Sequence, residues 1–310
     1  MPPPLAFSSV EAARLSDRPL HLAIGMFDGV HLGHQAVIGA AVRGAQGAGG
    51  RAAVLTFRPH PSRLFRPEQP TRLIFDSAGQ AERLGRLGVD AVITHPFTRE
   101  FAALAAPDFL PWLRLRLPAL QEVYVGENWR FGAGRAGDAA LLATSGRGAG
   151  VAVFSAPPVR LDGETVTSTR IRELLAQGDL PGANARLGAP YAASGVVAEG
   201  RRLGRQLGFP TLNIPWEPEL EPRFGVYRVR VGDRGLPGVA NYGLRPTVER
   251  AGRPLLEIHL LADCPYGPGD AIRAEWLEML RPEAKFASVD ELKAQIARDV
   301  EAARKAAPYP

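Results

Sequence analysis

Two imidazoles stand three residues apart in the segment Leu22–His34, LAIGMFDGVHLGH: His31 and His34, with Gly33 between them. An apolar run ends at Gly25–Phe27, the turn Asp28–Gly29 follows, and a helix is expected from about His31. At this spacing both rings share one helix face, and Gly33 leaves room for a ligand against the backbone. A helix N-terminus presents unsatisfied N–H groups and the positive end of the peptide dipole. Two imidazoles added there make an anion site that needs no lysine, suited to a polyphosphate. A surface histidine pair and half of a metal site are the alternatives. Helical zinc pairs favour i, i+4 spacing with Glu between, and no cysteine or second histidine cluster lies nearby in sequence.

Three further stretches carry polar groups in useful patterns. In Thr167–Leu175, TSTRIRELL, Ser168 and Thr169 can cap a helix, and Arg172 lies one turn in, aimed back at the N-terminus. Two hydroxyls and a guanidinium can hold phosphate oxygens, although capped helices with arginine are common. In Gly200–Asn213, GRRLGRQLGFPTLN, a loop with Gly200, Gly204 and Gly208 leads into a strand. Its N–H groups could cover phosphates. Thr211 and Asn213, two apart, face one side of that strand. A hydroxyl and an amide oxygen are hard ligands suited to Mg²⁺; a turn followed by a solvated strand face is the alternative. In Leu255–Leu261, LLEIHLL, the residues Leu256, Ile258 and Leu260 take one face and Glu257 and His259 the other. Glu257 is a candidate base for a hydroxyl, or an exposed strand carboxylate.

The elements that must position these groups fall into two textures. Strands are expected at Leu20–Phe27, Arg51–Phe57, Ala91–Thr94, Glu122–Gly126 and Val151–Ala156, apolar with little alternation, as strands buried on both faces are. Helical stretches His34–Gln46, Ser77–Leu87 and Ala139–Arg147 separate them, which argues for a parallel, doubly wound sheet. Beyond about residue 186 the strands come in succession, at Tyr191–Gly200, Phe209–Ile214, Gly225–Gly232, Leu236–Gly243, Leu255–Ala262 and Ala271–Leu280, with Gly/Pro turns between. Six such strands predict a closed or nearly closed antiparallel barrel. Ser288–Glu291 is a capping box, and Val289, Leu292, Ile296, Val300 and Ala303 form the apolar stripe of a C-terminal helix. The division is expected as 1–186 and 187–310.

Composition narrows the functional classes. The chain has 310 residues, 45% apolar and 22% charged, enough for a sizeable core in each half. Only three of its 37 basic residues are lysines, and none precedes Lys285, so a P-loop is excluded. A net charge of +5 is too weak to argue for nucleic acid. The lone cysteine, Cys264, forms no intrachain disulfide. The N-terminal MPPPLAFSSVEAARL lacks a basic start and a long apolar core, and no run approaches 18 apolar residues. A cytoplasmic protein with no membrane span is expected, a monomer or weak homo-oligomer.

The His31–His34 stretch together with Thr167–Leu175 resembles the HxGH nucleotidyltransferase superfamily. GMFDGVHLGHQ (Gly25–Gln35), TFRPHP (Thr56–Pro61) and GENWRFGAGRAGD (Gly126–Asp138) resemble the bacterial FAD synthetase module more narrowly. GRRLGRQLGFPTLN, GVANYGLRPT (Gly238–Thr247), LLEIHLL and LRPEAKF (Leu280–Phe286) resemble bacterial riboflavin kinase. The resemblance covers about Leu20 to Arg304 and implies a bifunctional chain. A Rossmann-like α/β nucleotidyltransferase domain would make FAD from FMN and ATP. An antiparallel β-barrel kinase domain with a C-terminal helix would make FMN from riboflavin and ATP. It implies that His31, His34 and Arg172 act on the ATP phosphates with Ser168 and Thr169, and that Asn128 contacts the FMN phosphate or metal-nucleotide. Gly25, Phe27, Asp28, Gly33 and His60 would line that site. It further implies a phosphate loop with Gly200, Arg202, Gly204, Arg205 and Gly208, Mg²⁺ on Thr211 and Asn213, and Glu257 as base. Met26 and Leu212 depart from the family's usual residues; Leu212 is expected to point away from the metal. Another HxGH adenylyltransferase is disfavoured by the second half. A flavin-sensing regulator with a degenerate site is disfavoured because all these side chains are present.

Overall fold

The computed structural model describes residues 3–200, 204, 207–244 and 254–305. It has two compact units, Met1–Ser168 and Thr169–Pro310.

The strands of the first unit's main sheet are β1 (Leu5–Phe7), β2 (Leu20–Ile24), β3 (Arg51–Arg58), β4 (Ala91–Pro96), β5 (Leu120–Gly126) and β6 (Ala152–Ala156). They lie in the order β1-β4-β3-β2-β5-β6, every pair parallel. The winding therefore reverses at β2, and the crevice off the carboxyl ends of β2 and β5 is the switch point where open α/β sheets bind ligands. All five residues of β2 are buried. One face of the sheet packs on Val37, Ile38 and Ala41 of the helix Leu32–Gly47, the other on Phe109, Leu110 and Leu113 of the helix Ala106–Arg116. This double cover explains the apolar runs without alternation.

The parallel, doubly wound sheet is as expected, with differences in detail. β2 stops at Ile24 rather than Phe27: the Gly25 N–H still donates to the Leu55 carbonyl (3.1 Å), but Phe27 turns into the left-handed region at φ 48°. β6 is an edge strand with exposed positions, not one buried on both faces, since only β5 pairs with it. The helix Ala106–Arg116 went unforeseen because Pro107 and Pro111 interrupt its pattern; Pro107 sits in the first turn, where its missing N–H costs nothing. β1, three residues long, is too short for any periodicity.

A small hairpin, β7 (Arg160–Leu161) and β8 (Glu164–Thr165), follows in the first unit. The second unit contains β9 (Tyr191–Val196), β10 (Leu212–Pro215), β11 (Gly225–Val231), β12 (Leu236–Leu244), β13 (Pro254–Leu260) and β14 (Ala271–Pro282), antiparallel in the order β10-β13-β12-β11-β14-β9. A bridge between Ala198 and Asn213 joins the continuation of β9 to β10 and nearly closes the barrel. Inside it Tyr191, Tyr227 and Tyr242 surround Trp276, with ring centroids 4.5–6.1 Å from it. Leu212 is buried. The outer face at Val226 and Val239 is covered by Ile296, Val300 and Ala303 of the C-terminal helix Val289–Lys305. Buried Asp299 fixes that helix by accepting from Arg281 at 2.9–3.0 Å in a bidentate pair. Ser288 Oγ accepts from the Glu291 N–H as a capping box requires, while Glu291 reaches one residue further back, to the Ala287 N–H. Val289, expected in the apolar stripe, is 63% exposed, because it is the helix's first residue and lies outside the covered cluster.

The helices Ser168–Gln177 and Leu180–Leu187 pack on this barrel. Asn184 donates to the Trp276 carbonyl (2.8 Å) and accepts from the Tyr191 N–H (2.7 Å). The Arg223 N–H donates to the Leu175 carbonyl (3.1 Å), and a Cβ on Gly178 would strike Met279 Sδ. A fragment starting at Thr169 keeps these contacts. One starting at Leu187 loses the fully buried Leu180 and Ala183 and orphans both partners of Asn184. Lost buried leucines cost roughly 2–5 kcal/mol and orphaned polar groups about 1–3 kcal/mol. The shorter fragment is therefore expected to unfold at clearly lower denaturant; equal midpoints would show that the helix pair contributes nothing to the barrel.

Candidate active sites

In the first unit the site is built on the loop between β2 and the helix Leu32–Gly47. His31 is the N-cap of that helix, its Nδ1 accepting the His34 N–H at 3.4 Å. A neutral His31 that accepts at Nδ1 carries its proton on Nε2. The His31 and His34 rings stack, centroids 3.6 Å apart and 19° from parallel, and Phe27 meets His34 edge-on at 5.4 Å. A Cβ on Gly33 would lie 3.1 Å from His31 Cε1. Gly33 thus makes room for the His31 imidazole. Gly25 likewise admits the Phe27 ring, 3.1 Å from where its Cβ would be.

Buried polar groups fix the loop. Asp28 Oδ1 accepts from the Ile74 N–H (2.9 Å), and the Asp28 carbonyl accepts from Ser168 Oγ (2.9 Å). The Ser168 hydroxyl therefore ties its segment to the histidine loop instead of capping its own helix. Thr56 Oγ1 and Gln80 Nε2 both donate to the Met26 carbonyl, at 3.0 and 2.9 Å. Thr56 opens the TFRPHP stretch, but nothing local marks Gln80: a glutamine on an amphipathic helix reads as solvated until the strand it faces is known. Asn128 is exposed on the turn after β5, at the switch-point edge. His60, just past the carboxyl end of β3, is the N-cap of the short helix Pro61–Phe65, accepting from the Ser62 N–H (3.1 Å). Thr169 is exposed and Arg172 half-buried on the helix Ser168–Gln177, in the second unit.

In the second unit Thr211 and Asn213 lie where the glycine loop crosses β10. A Cβ on Gly200 would fall 2.3 Å from Asn213 Nδ2, and one on Gly204 would fall 2.4 Å from the Phe209 carbonyl and 3.2 Å from Thr211 Oγ1. Only glycine lets this backbone come so close to both side chains. Gly208 turns at φ 90°. Arg202 and Arg205 lie outside the described residues. Asn213 stands directly opposite Glu257 across the β10–β13 pair, and Glu257 opposite Asn241 across β13–β12, so the three occupy one row on one face. Asn241 lies within GVANYGLRPT, and only the register reveals its place in this row. A cleft of about 850 Å³ beside this row is lined by Thr211, Asn213, His259, Asp263, Tyr266 and Arg304, among others. Glu257 is next to Asn213 but outside that lining. His259 Nδ1 is 2.9 Å from the Pro210 carbonyl.

A stacked imidazole pair at a helix N-terminus on a parallel sheet, and a barrel with a glycine loop beside Thr and Asn, gather polar groups at two separate sites, one in each unit. The FAD synthetase family model matches residues 14–170 and the riboflavin kinase family model residues 187–307. The bifunctional riboflavin kinase/FMN adenylyltransferase of Escherichia coli K12 is 40% identical over 291 residues, 92% of this chain and 91% of that one. That of Pseudomonas fluorescens is 39% identical over 294 residues, 93% and 94% of the two chains. A crystal structure described as a macrolide-efflux protein from Streptococcus pneumoniae superimposes with a TM-score of 0.88 at 26% identity, covering 99% of this chain and 100% of that one. The chain belongs to the bifunctional riboflavin kinase/FMN adenylyltransferase family, with one kinase and one nucleotidyltransferase module. Among the described residues no helix is long and apolar enough to cross a membrane.

Burial, reinforced by the adjacent His31, pushes the His34 pKa well below that of a free imidazole. His34 Nδ1 is buried without a hydrogen-bond partner. The unfolded chain, with a histidine pKa of about 6.5, takes up this proton first as pH falls. The His34 contribution is therefore complete above about pH 6.5 and declines below it. Denaturation curves of the wild type and His34→Gln are expected to diverge on acidification, the wild type losing more. Parallel curves would mean that the ring is solvated.

Proposed function

We propose that residues 187–310 phosphorylate riboflavin to FMN and residues 1–186 adenylylate FMN to FAD with release of pyrophosphate, each reaction using ATP. The observation that carries this reading is the stacked His31–His34 pair at a helix N-terminus on the sheet's switch point. In the first reaction site the FMN phosphate oxygen attacks the α-phosphorus of ATP in line, and the bond to pyrophosphate breaks. No covalent enzyme intermediate is needed, so positioning and electrostatic stabilisation supply the catalysis. His31 and His34 act as donors to the phosphate oxygens on which charge grows. The loop N–H groups add to them. Ser168 holds the Asp28 backbone in place, Asn128 takes the FMN phosphate or metal-nucleotide, and Thr169 and Arg172 keep the phosphate contacts that the resemblance implies.

In the barrel the ribityl 5′-hydroxyl attacks the γ-phosphorus, ADP leaves, and the hydroxyl proton passes to Glu257. Glu257 suits the task because it is half-buried on a rigid strand between Asn213 and Asn241. Gly200, Gly204 and Gly208 bring the loop backbone over the phosphates. Thr211 and Asn213 offer a hydroxyl and an amide oxygen, a donor set that fits Mg²⁺. Bound there, Mg²⁺ would neutralise phosphate charge. The cytoplasm, where riboflavin, FMN and ATP meet, is the proposed compartment.

Two variants of the full chain test both sites at once. His31→Ala with His34→Ala is expected to cut FAD formation by roughly 10²–10³-fold while sparing FMN formation. Glu257→Gln is expected to lower kinase kcat by about 10²–10⁴-fold with little change in KM, while externally supplied FMN still becomes FAD. Thr211→Ala and Asn213→Ala should instead shift the Mg²⁺ requirement. Chromatographic resolution of the flavins reads every arm. FAD formation at the wild-type rate in the histidine variant would make the pair a surface feature; an unchanged kcat in Glu257→Gln would make Glu257 a bystander on the strand.

A further inference from the structure

The histidine loop holds a backbone that its sequence disfavours. Phe27 sits at φ 48° and Val30 at φ 45°, with Gly29 at φ 85° between them. A β-branched residue at positive φ is an outlier, and such conformations persist only where their surroundings over-determine them. Gln80, on the helix Ser77–Arg86, is 6% exposed and turns its amide NH₂ group onto this stretch. Its Nε2 donates to two consecutive carbonyls, Met26 at 2.9 Å and Phe27 at 3.1 Å. Its Oε1 accepts from Arg58 Nη2 at 3.0 Å. These partners fix the amide's orientation, since two carbonyls can face only the NH₂ group and a guanidinium only the oxygen. The Phe27 carbonyl also accepts the Val30 N–H (3.1 Å), closing the turn that delivers His31 to the helix start. Thr56, 1% exposed, gives the Met26 carbonyl its second donor.

We propose that Gln80 is a positioning residue for adenylyl transfer: by clamping the Met26 and Phe27 carbonyls it holds the left-handed turn that sets the His31–His34 stack against the ATP phosphates. This rests on the reading of that stack as the phosphate site. Gln80 touches no substrate; it acts through the loop. A side chain of the same length without donors cannot replace it. Glutamate would place a carboxylate against two carbonyl oxygens and restore one O–H donor only when protonated.

The test uses the full-length enzyme, with kinase turnover in the same preparation as an internal control. Gln80→Met is expected to lower the kcat of FAD formation by about 10–10²-fold, the scale of a misplaced catalytic group, with KM for ATP and FMN changed far less. Kinase kcat should stay at the wild-type value. Gln80→Glu should be impaired at neutral pH and recover relative to wild type as pH falls and its carboxyl protonates, a response that simple loss of packing would not give. Thr56→Val, which removes one donor from the same carbonyl, should show a smaller loss in the same direction and carries the test if Gln80→Met does not fold. Wild-type kcat in folded Gln80→Met, a loss confined to KM, or a Gln80→Glu deficit that ignores pH would each overturn the proposal. A His31→Ala, His34→Ala variant that still makes FAD at the wild-type rate would overturn the underlying site reading instead, so the two failures are distinguishable.

Discussion

The first unit depends on one constraint: the chain must leave β2, turn through positive φ at Phe27, Gly29 and Val30, and enter a helix whose N-cap is a histidine. Strand β2 can do this because it is fully buried and paired on both sides, so its end is fixed in space. The turn costs backbone energy that local sequence does not recover. The compensation is non-local. Thr56 comes from β3, Gln80 from the helix Ser77–Arg86, the Ile74 N–H from the segment before it, and Ser168 from the end of the unit. Four separate parts of the chain converge on a few carbonyls and one carboxylate, and the imidazole stack is the product of that convergence.

The barrel solves a comparable problem differently. Its polar row Asn213–Glu257–Asn241 needs no strained turn, because antiparallel register alone sets the three residues side by side. Pleating gives the inner face to Leu256, Ile258 and Leu260 and leaves Glu257 and His259 on the outer one. What needs special backbone here is the covering loop. A Cβ on Gly200 would strike the Asn213 amide, and one on Gly204 would strike the Phe209 carbonyl beside Thr211. One site is thus a loop held by side chains, the other a strand surface covered by a backbone.

Much of this was legible in the sequence. Apolar runs without alternation gave the parallel sheet, and Val226–Val231, alternating cleanly, gave a half-buried barrel strand. The spacing of His31 and His34, of Thr211 and Asn213, and the face shared by Glu257 and His259 all follow from local periodicity. Non-local pairing did not show. Gln80 and Asn241 are ordinary polar residues until the helix and strand they face are known. The helix Ala106–Arg116 was hidden by two prolines, one harmless in its first turn. Packing also set where the chain divides into compact units. The motif pattern changes near residue 186, but the helices Ser168–Gln177 and Leu180–Leu187 are seated on the barrel through Asn184, Leu175 and Gly178. Apolar faces decide which unit a helix joins, and motif spacing does not record them.

The state of the imidazoles bears on what kind of anion site this is. With no lysine before Lys285, no lysine ammonium is available to the first unit. Stacking at 3.6 Å and burial disfavour charge on His34 while the site holds no anion. Two permanent cations would bind ATP, pyrophosphate and any other polyanion strongly in the ground state. Such uniform binding lowers KM without raising kcat. A ring whose charge is disfavoured responds otherwise: its affinity for a proton rises as negative charge approaches, and on the proposed reading its interaction strengthens with the charge on the leaving pyrophosphate. On that reading the stack that costs stability in acid directs its stabilisation toward the transition state, for as long as the turn from Gly25 to Val30 keeps the two rings in contact.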